Sequence, residues 1–466
     1  MSELRMADVV VIGAGVSGLT AARRLAQAGR SVVVVEAGER VGGRTMNLDV
    51  VPGVITEGGG QWVGPGQDRV LALLNELGLD TFKTHVDGKS IYHRRGHSKR
   101  YDGLIPPLSP LALADFAQLQ LRLEWMARTV PVDAPWTARR ARSWDATTFG
   151  RWLDANATTA EAKEMFAIGF SVTNAEDPHS TSLLVQLARI RGSGGIDHAL
   201  NITDGAQESR VVGGTVLIAQ RMAEDLGHAL ILDSPVVEIA HDADGVLVRS
   251  ERVDIRADRV IVAMSPADAA RIRVTPGLPT RRVMLQRGWG SGAESKLFAV
   301  YDRPFWREQS LSGQAVSDLR VARYVVDNSP PDGSVGILLT FLGTAECGRG
   351  PGTTLDDPAT RRSVFLDDLT VLFGEQAASP TAYLEKDWTH EPWISGCVGS
   401  RPPGSLTQYT DADRQPVGRI HWAGTETATI NQGYLDGAVR AGERAAEEVL
   451  NRGLVTVSGR CAGSLP

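Results

Sequence analysis

Residues 9–45 read VVVIGAGVSGLTAARRLAQAGRSVVVVEAGERVGGRT, and no other stretch narrows the fold as much. Residues 9–12 are a run of branched apolar side chains, the pattern of a strand covered on both faces in a parallel sheet. Gly13 permits a tight turn, Gly15 lets backbone come close to a pyrophosphate, and Gly18 lets the next helix pack against the strand. The spacing predicts a helix over residues 17–28, with Val16 and Ser17 at its start and Gly29 as its stop; its free N–H groups favour phosphate. A second strand, 31–35, delivers Glu36, with Ala37 beside it, about 20 residues beyond the glycines. A carboxylate there accepts hydrogen bonds from ribose hydroxyls and disfavours a 2′-phosphate. Strand, glycines, helix, strand and acid in register specify an α/β unit built for an adenine dinucleotide.

Length asks for more than this unit. At 466 residues, with domains of ~100–200 residues, two or three bodies are expected. A net charge of −6 without a basic tract excludes the electrostatic footprint of a nucleic-acid binder. The opening MSELRMAD runs straight into the first strand, leaving no room for a secretory core, and LNRGLVTVSGRCAGSLP falls short of the ~20 apolar residues that cross a bilayer. A soluble, cytoplasmic protein without membrane attachment is expected. Cys347, Cys397 and Cys461 are too few for a disulfide framework, and no Cys/His spacing resembles a metal site.

Residues 57–79, EGGGQWVGPGQDRVLALLNELGL, place Gly60, Gln61 and Trp62 in a loop lying against something flat, then an amphipathic helix over 67–77 stopped by Gly78. Helical patterns cover 111–129 and 147–170, between the proline-rich IPPLSPL and PVDAPW and just after them. Short strands follow in SRVVGG, ALILDSPVVEIA, GVLVRS and DRVIVAMSP, where 260–264 reads as a buried strand rejoining the first body. Residues 418–450 give a strand, a glycine turn and a long helix. The expected organisation is a discontinuous first domain of residues 1–85, 205–270 and 395–452. A second domain comprises 86–204 and 271–394, a helical insertion plus a mixed sheet, and 453–466 form a tail.

Six segments in order resemble the flavin amine oxidase family, most closely its monoamine oxidase branch: GAGVSGL, GERVGGRT, GGGQWVGPGQDRVLAL, GAQESRVVGGT, SKLFAVYDRPFW and GRIHWAGTETATINQGYLDGAVRAGERAA. The resemblance spans nearly the whole chain. It implies a two-domain, glutathione-reductase-like α/β fold, with a Rossmann-type FAD domain beside an α+β substrate domain. The GGRT extension, with Gly43 and Arg44, points to FAD rather than a nicotinamide carrier. By the same resemblance Gly424, Thr425, Glu426, Tyr434 and Leu435 close over the ribityl chain and ring, and the backbone of Val237 holds adenine. Mitochondrial members carry a C-terminal membrane helix that this chain does not show, so a bacterial-type soluble enzyme is expected.

The resemblance also assigns chemistry. Lys296 matches a motif lysine that holds a water near flavin N5, and a lysine inside an apolar strand is costly unless it has a function. Tyr434 matches one of two aromatic rings flanking the substrate amine, and Trp388 is a further ring near the flavin. The opposite wall departs from the family. Counting from Trp388 puts Cys397 at the position of a flavin-linked cysteine and Val398 at the second ring; counting back from PPG puts Cys397 at the ring position. Either way the second tyrosine is missing. Covalent attachment through Cys397 stays open, and non-covalent FAD is the favoured reading. Val172, Leu200, Gln207 and Tyr324 match positions around the substrate cavity.

The sequence thus points to an FAD-dependent amine oxidase that converts an amine to an imine by hydride transfer, with oxygen reduced to hydrogen peroxide. A small-molecule amine and O2 are the expected partners, and a homodimer is compatible with the sequence. An alkaloid, polyamine or amino-acid oxidase, a desaturase on the same scaffold, and an FAD-binding protein acting through partners stay open as alternatives.

Overall fold

The computed structural model describes residues 3–343, 354–399 and 401–451, so Cys347, Cys461 and the expected tail at 453–466 lie outside the described residues. The opening strand runs over Glu3–Ile12, longer than the apolar run that predicts it, because it pairs in parallel with Val253–Ala263 from Glu3 opposite Val253 to Ile12 opposite Val262. Partnership with a long neighbour carries the strand through polar positions that periodicity alone does not mark. On its other side Val9–Ile12 pairs with Val32–Val35. Eight strands complete this sheet, drawn from residues 3–35, 230–275 and 420–423. Arg273–Thr275 belongs to it, through pairing with Glu238–Ala240, although the sequence expectation ended the first domain at 270.

Two helices cover one face. Val16–Gln27 and Leu435–Asn451 pack side by side, and a methyl group at Gly442 would stand 2.3 Å from the Ser17 carbonyl oxygen. That missing side chain brings the last helix against the first. Leu19, Leu25, Val439 and Val449 fill the layer between helices and sheet and are fully buried. Each buried aliphatic side chain contributes about 1.5–3 kcal/mol.

A second sheet of seven strands runs in the order Ala382–Asp387, Glu294–Tyr301, Gly336–Gly343, Tyr324–Asp327, Leu311–Ser317, Lys89–Arg94, His97–Tyr101. Every residue of Glu294–Tyr301 is buried, because partners pair with it on both sides and packing covers both faces. The helices Pro110–Arg128, Phe149–Asn156, Ala160–Asn174 and Leu183–Gly192 share a core of Leu119, Leu123, Phe149, Phe170 and Leu187. The helical pattern over 147–170 is two helices, not one. Thr148 caps the first by accepting from Arg151 N at 3.0 Å, and Thr159 caps the second by accepting from Ala162 N at 3.2 Å. Asp115 accepts from Thr158 N at 2.9 Å and Thr159 N at 2.7 Å, satisfying the donors that the break exposes. Among the described residues no helix is long and apolar enough to cross a membrane, and no cluster of His, Cys, Asp and Glu is arranged to hold a metal.

Candidate active site

Two glycines of the opening turn do opposite jobs. A methyl at Gly18 would stand 2.0 Å from the Gly13 carbonyl oxygen, so the helix sits down on the turn only because that group is absent. A methyl at Gly15 would meet nothing nearer than the Gly43 Cα, at 4.0 Å, on the wall of a cavity of about 410 Å3. Gly15 leaves the wall open, while Gly18 lies beneath it and does not line the cavity. Val16, Ser17, Glu36, Ala37, Gly43 and Arg44 line the same space. The Glu36 carboxylate accepts from Ala14 N at 2.7 Å and Gly38 N at 2.9 Å. Burial nevertheless pushes its carboxyl above the usual range, against those two donors.

The last segment of the chain closes over this turn. Gly424 N donates to Ser17 Oγ at 2.9 Å, and Gly424, Thr425, Tyr434 and Leu435 line the cavity. Glu426 lies behind them, its side chain 3% exposed, with Arg44 Nη1 at 2.7 Å from Oε1. That contact is charge against charge without donor alignment, and neither carboxylate oxygen has a hydrogen-bond partner. Burial pulls the Arg44 guanidinium down and Glu426 pulls it up, with a net rise. A buried carboxylate paired with Arg44 but without an aligned hydrogen-bond donor, an open glycine and a ribose-type acid fit an adenine dinucleotide with a polyhydroxyl chain, as in FAD.

Val237, whose backbone is expected to hold adenine, is 48% exposed and does not line the cavity; Val236 lines the wall beside it. The pairing passes over Val237 between Val236 and Glu238. A bulge leaves its extra residue outside the ladder, so Val237 has no partner in the pairing with Val246–Ser250.

Lys296 is 6% exposed and lines the cavity. Its Nζ donates to Glu57 O at 3.2 Å, to Gly59 O at 2.6 Å and to Gln61 Oε1. A charged lysine therefore directs its three hydrogens at protein oxygens on the cavity wall. Burial pulls the amine down to about 8; the Glu57 carboxylate opposes that and the Arg210 guanidinium adds to it. Arg210 and Glu57 form a buried ion pair, with Arg210 Nη1 donating to Asn328 O at 2.9 Å, and Gln61 Nε2 donates to Asn328 Oδ1 at 2.7 Å. This network fixes the acceptors that catch the lysine. Trp62 and Phe341 present their rings to Nζ at 5.7 Å and 5.5 Å.

Trp388, Cys397, Val398, Gly60, Gln61, Trp62, Val172 and Gln207 line the large cavity as well. Trp388 is fixed by its Nε1 donating to Gly58 O at 2.9 Å. Gln207 keeps a buried Oε1 without a partner. Val398, Gln432, Tyr434 and Thr173 are shared with an adjoining chamber of about 90 Å3, which Leu200 also lines. Val398 packs against the chain just before Tyr434: a methyl at Gly433 would come 3.0 Å from its Cγ1. Burial pushes the Tyr434 phenol up to about 12 and the Cys397 thiol up to about 11. Tyr324 lines neither space; it packs among Tyr92, Leu108 and Met165, away from the pocket position expected for it.

Sequence reasoning missed Glu294, Phe341, Arg189 and Gln432, all of which line these spaces. Glu294 had a signal, since it stands two residues before Lys296 and a strand repeats its face every second residue. Arg189 and Gln432 had none, lying 243 positions apart.

The model of the family described as flavin containing amine oxidoreductase matches residues 16–450. A Mycobacterium tuberculosis protein described as a flavin-containing monoamine oxidase, AofH, is 42% identical, covering 95% of this chain and 96% of its own length. Amine oxidase [flavin-containing] A of Equus caballus is 36% identical, with 96% of this chain and 85% of that one covered. Among solved structures, wild-type putrescine oxidase bound to putrescine matches with a TM-score of 0.92 at 33% identity, covering 96% of this chain and all of that one. Cyclohexylamine oxidase from Brevibacterium oxydans IH-35A matches at 0.91 and 34% identity, covering 96% and 99%.

Proposed function

This chain belongs to the flavin containing amine oxidoreductase family and is an FAD-dependent amine oxidase, and from that premise we propose that it oxidises amines too bulky or too cyclic for a cage of two aromatic rings. One observation carries the proposal. Tyr434 forms one wall before the cavity, and Val398, which lines both the large cavity and the side chamber, stands where a second ring is expected. Cys397 lines only the larger cavity and Val398 lines both spaces, which supports the register counted from Trp388. The fit of a cyclohexylamine oxidase to this fold is consistent with a cyclic substrate. A steady-state panel of cyclic and small arylalkyl amines tests it; strict preference for the small arylalkyl amines overturns it.

FAD, when bound, supplies the two-electron acceptor that turns an amine C–N bond into an imine, with oxygen taking the electrons as hydrogen peroxide. The chain supplies the rest. Gly13, Gly15, Val16, Ser17, Gly43 and Arg44 hold the pyrophosphate side, with Gly18 seating the helix beneath them. Glu36 and Ala37 take the ribose, the backbone of Val237 takes adenine, and Glu426 receives ribityl hydroxyls. Gly60, Gln61, Trp62, Gly424, Thr425 and Leu435 wall the ring, and Trp388 packs beside it. Tyr434 orients the amine and, kept neutral, presents its ring face. Gln207 offers its unpartnered carbonyl to the amine, while Val172 and Leu200 exclude water. Lys296 sets a positive charge where oxygen acquires electrons.

FAD is held without a covalent bond in this proposal. The nucleophile for such a bond is a thiolate, and burial keeps Cys397 in the thiol form. Acid precipitation decides the matter: yellow colour in the supernatant supports it, and colour fixed in the pellet overturns it. A cytoplasmic location and a homodimer complete the proposal, read by cell fractionation and light scattering.

A further inference from the structure

The chamber beside Tyr434 is largely apolar, with Thr173, Asn174, Ser193 and Gln432 as neutral polar lining and Arg189 as its one charged side chain. Phe166, Phe170, Leu200 and Val398 line it, and so do Gln186 and Arg189 of Leu183–Gly192. Arg189 donates Nη1–H to Asn174 Oδ1 at 2.6 Å, Nε–H to Gln432 Oε1 at 3.3 Å, and Nη2–H to Gly399 O. One hydrogen on each terminal nitrogen is left without an acceptor among the described residues. All three acceptors are neutral. Glu176 and Glu426 act on Arg189 only from beyond ion-pair distance, and burial pulls its guanidinium below the usual value. One turn earlier, the buried Oε1 of Gln186 has no partner. The two ends of an amide are interchangeable in such an environment, so Gln186 offers N–H as readily as C=O.

A cation in the interior without a carboxylate beside it is costly unless an anion reaches it. A guanidinium with one hydrogen free on each terminal nitrogen matches the two oxygens of a carboxylate, and it repels an ammonium group. We propose that Arg189 and Gln186 form a subsite for a carboxylate carried at the end of the amine substrate away from its reacting nitrogen. The enzyme then selects ω-amino acids over diamines of equal length. This rests on the amine-oxidising reading above. A purely structural Arg189, stapling Asn174, Gly399 and Gln432 together, would not sort ligands by charge.

The test uses the FAD-loaded enzyme with matched sets of n-alkylamine, ω-amino acid and α,ω-diamine at several chain lengths. At the best length kcat/KM for the amino acid should exceed that for the diamine by at least about tenfold. Arg189→Met should abolish the preference and Arg189→Lys should keep its direction. Benzoate added to the resting wild-type enzyme should shift the flavin absorbance and raise the melting temperature, and neither should happen with Arg189→Met. Diamines oxidised as well as amino acids in the wild type, together with no response to benzoate, overturn the subsite even where Arg189→Met does not fold. Anaerobic bleaching by the plain alkylamines separates that outcome from failure of the amine-oxidase reading.

Discussion

Lys296 Nζ stands 2.6 Å from the carbonyl oxygen of Gly59, and this contact ties the strand next to one edge of the seven-stranded sheet to the glycine loop on the cavity wall. The lysine is held by three oxygens, so its charge is fixed in place before oxygen arrives. Preorganised charge stabilises a developing anion without reorganisation cost. Lys296→Met should therefore slow flavin reoxidation by roughly 10²-fold, the scale for one preorganised group, and leave anaerobic reduction by the amine far less affected. Stopped-flow traces of the two half-reactions check this. With the amine pulled to about 8, the wild-type reoxidation rate should fall as pH rises through that value, because the charged form is lost above it. A pH-independent rate across that range counts against the role.

The opening turn yields a paired prediction. Gly15→Ala adds a methyl with no neighbour closer than 4.0 Å, so the chain should fold with nearly unchanged melting temperature and purify without FAD. Gly18→Ala drives a methyl to within 2.0 Å of the Gly13 carbonyl oxygen and should not yield folded protein. Circular dichroism melts and the ratio of flavin to protein absorbance separate the two. FAD retained by Gly15→Ala would remove the pyrophosphate from that wall.

Much of the site is legible in the sequence, and the limit is physical. The glycine turn and Glu36 are read from residues adjacent along the chain, whose geometry is local. Lys296 is read because charge inside an apolar strand needs an explanation. The partners that give Lys296 its environment come from far away: Glu57 and Arg210 are 153 positions apart, and Gln61 meets Asn328 across 267. Periodicity tells which face a side chain takes, not which distant chain meets it there. Tyr324 shows the same limit: its place in the chain matches a position around the cavity, while it packs among Tyr92, Leu108 and Met165 and lines neither space.

The Glu57–Arg210 pair supports the lysine and should be sensitive to loss of one partner. Both side chains are nearly inaccessible, at 0% and 4% exposure, so Arg210→Met leaves a carboxylate stranded. The expected cost is about 3–5 kcal/mol, as for other broken buried pairs. Urea unfolding of single and double variants reads it, with Glu57→Gln plus Arg210→Met recovering part of the loss. A cost below about 1 kcal/mol, the range of surface pairs, would mean water reaches the pair.

Glu294 gives the clearest pH dependence. It lines the cavity at 6% exposure, its Oε1 has no partner, and burial pushes its carboxyl up to about 8, with Lys296 opposing. The folded protein thus holds this proton more tightly than the unfolded chain, whose carboxyl titrates near 4.5. Between those values the native state binds more protons, so stability falls as pH rises; the contribution is complete below about 4.5 and is lost towards 8. By pH 7 the loss amounts to about 3 kcal/mol, at 1.36 kcal/mol for each unit of displacement. Glu294→Gln removes the ionisation and keeps the shape. Denaturant melts of the apoprotein from pH 5 to pH 8 should therefore show wild type losing stability relative to Glu294→Gln across the range. Parallel curves for the two proteins would mean that Glu294 finds solvent or a proton partner in the cavity and ionises normally.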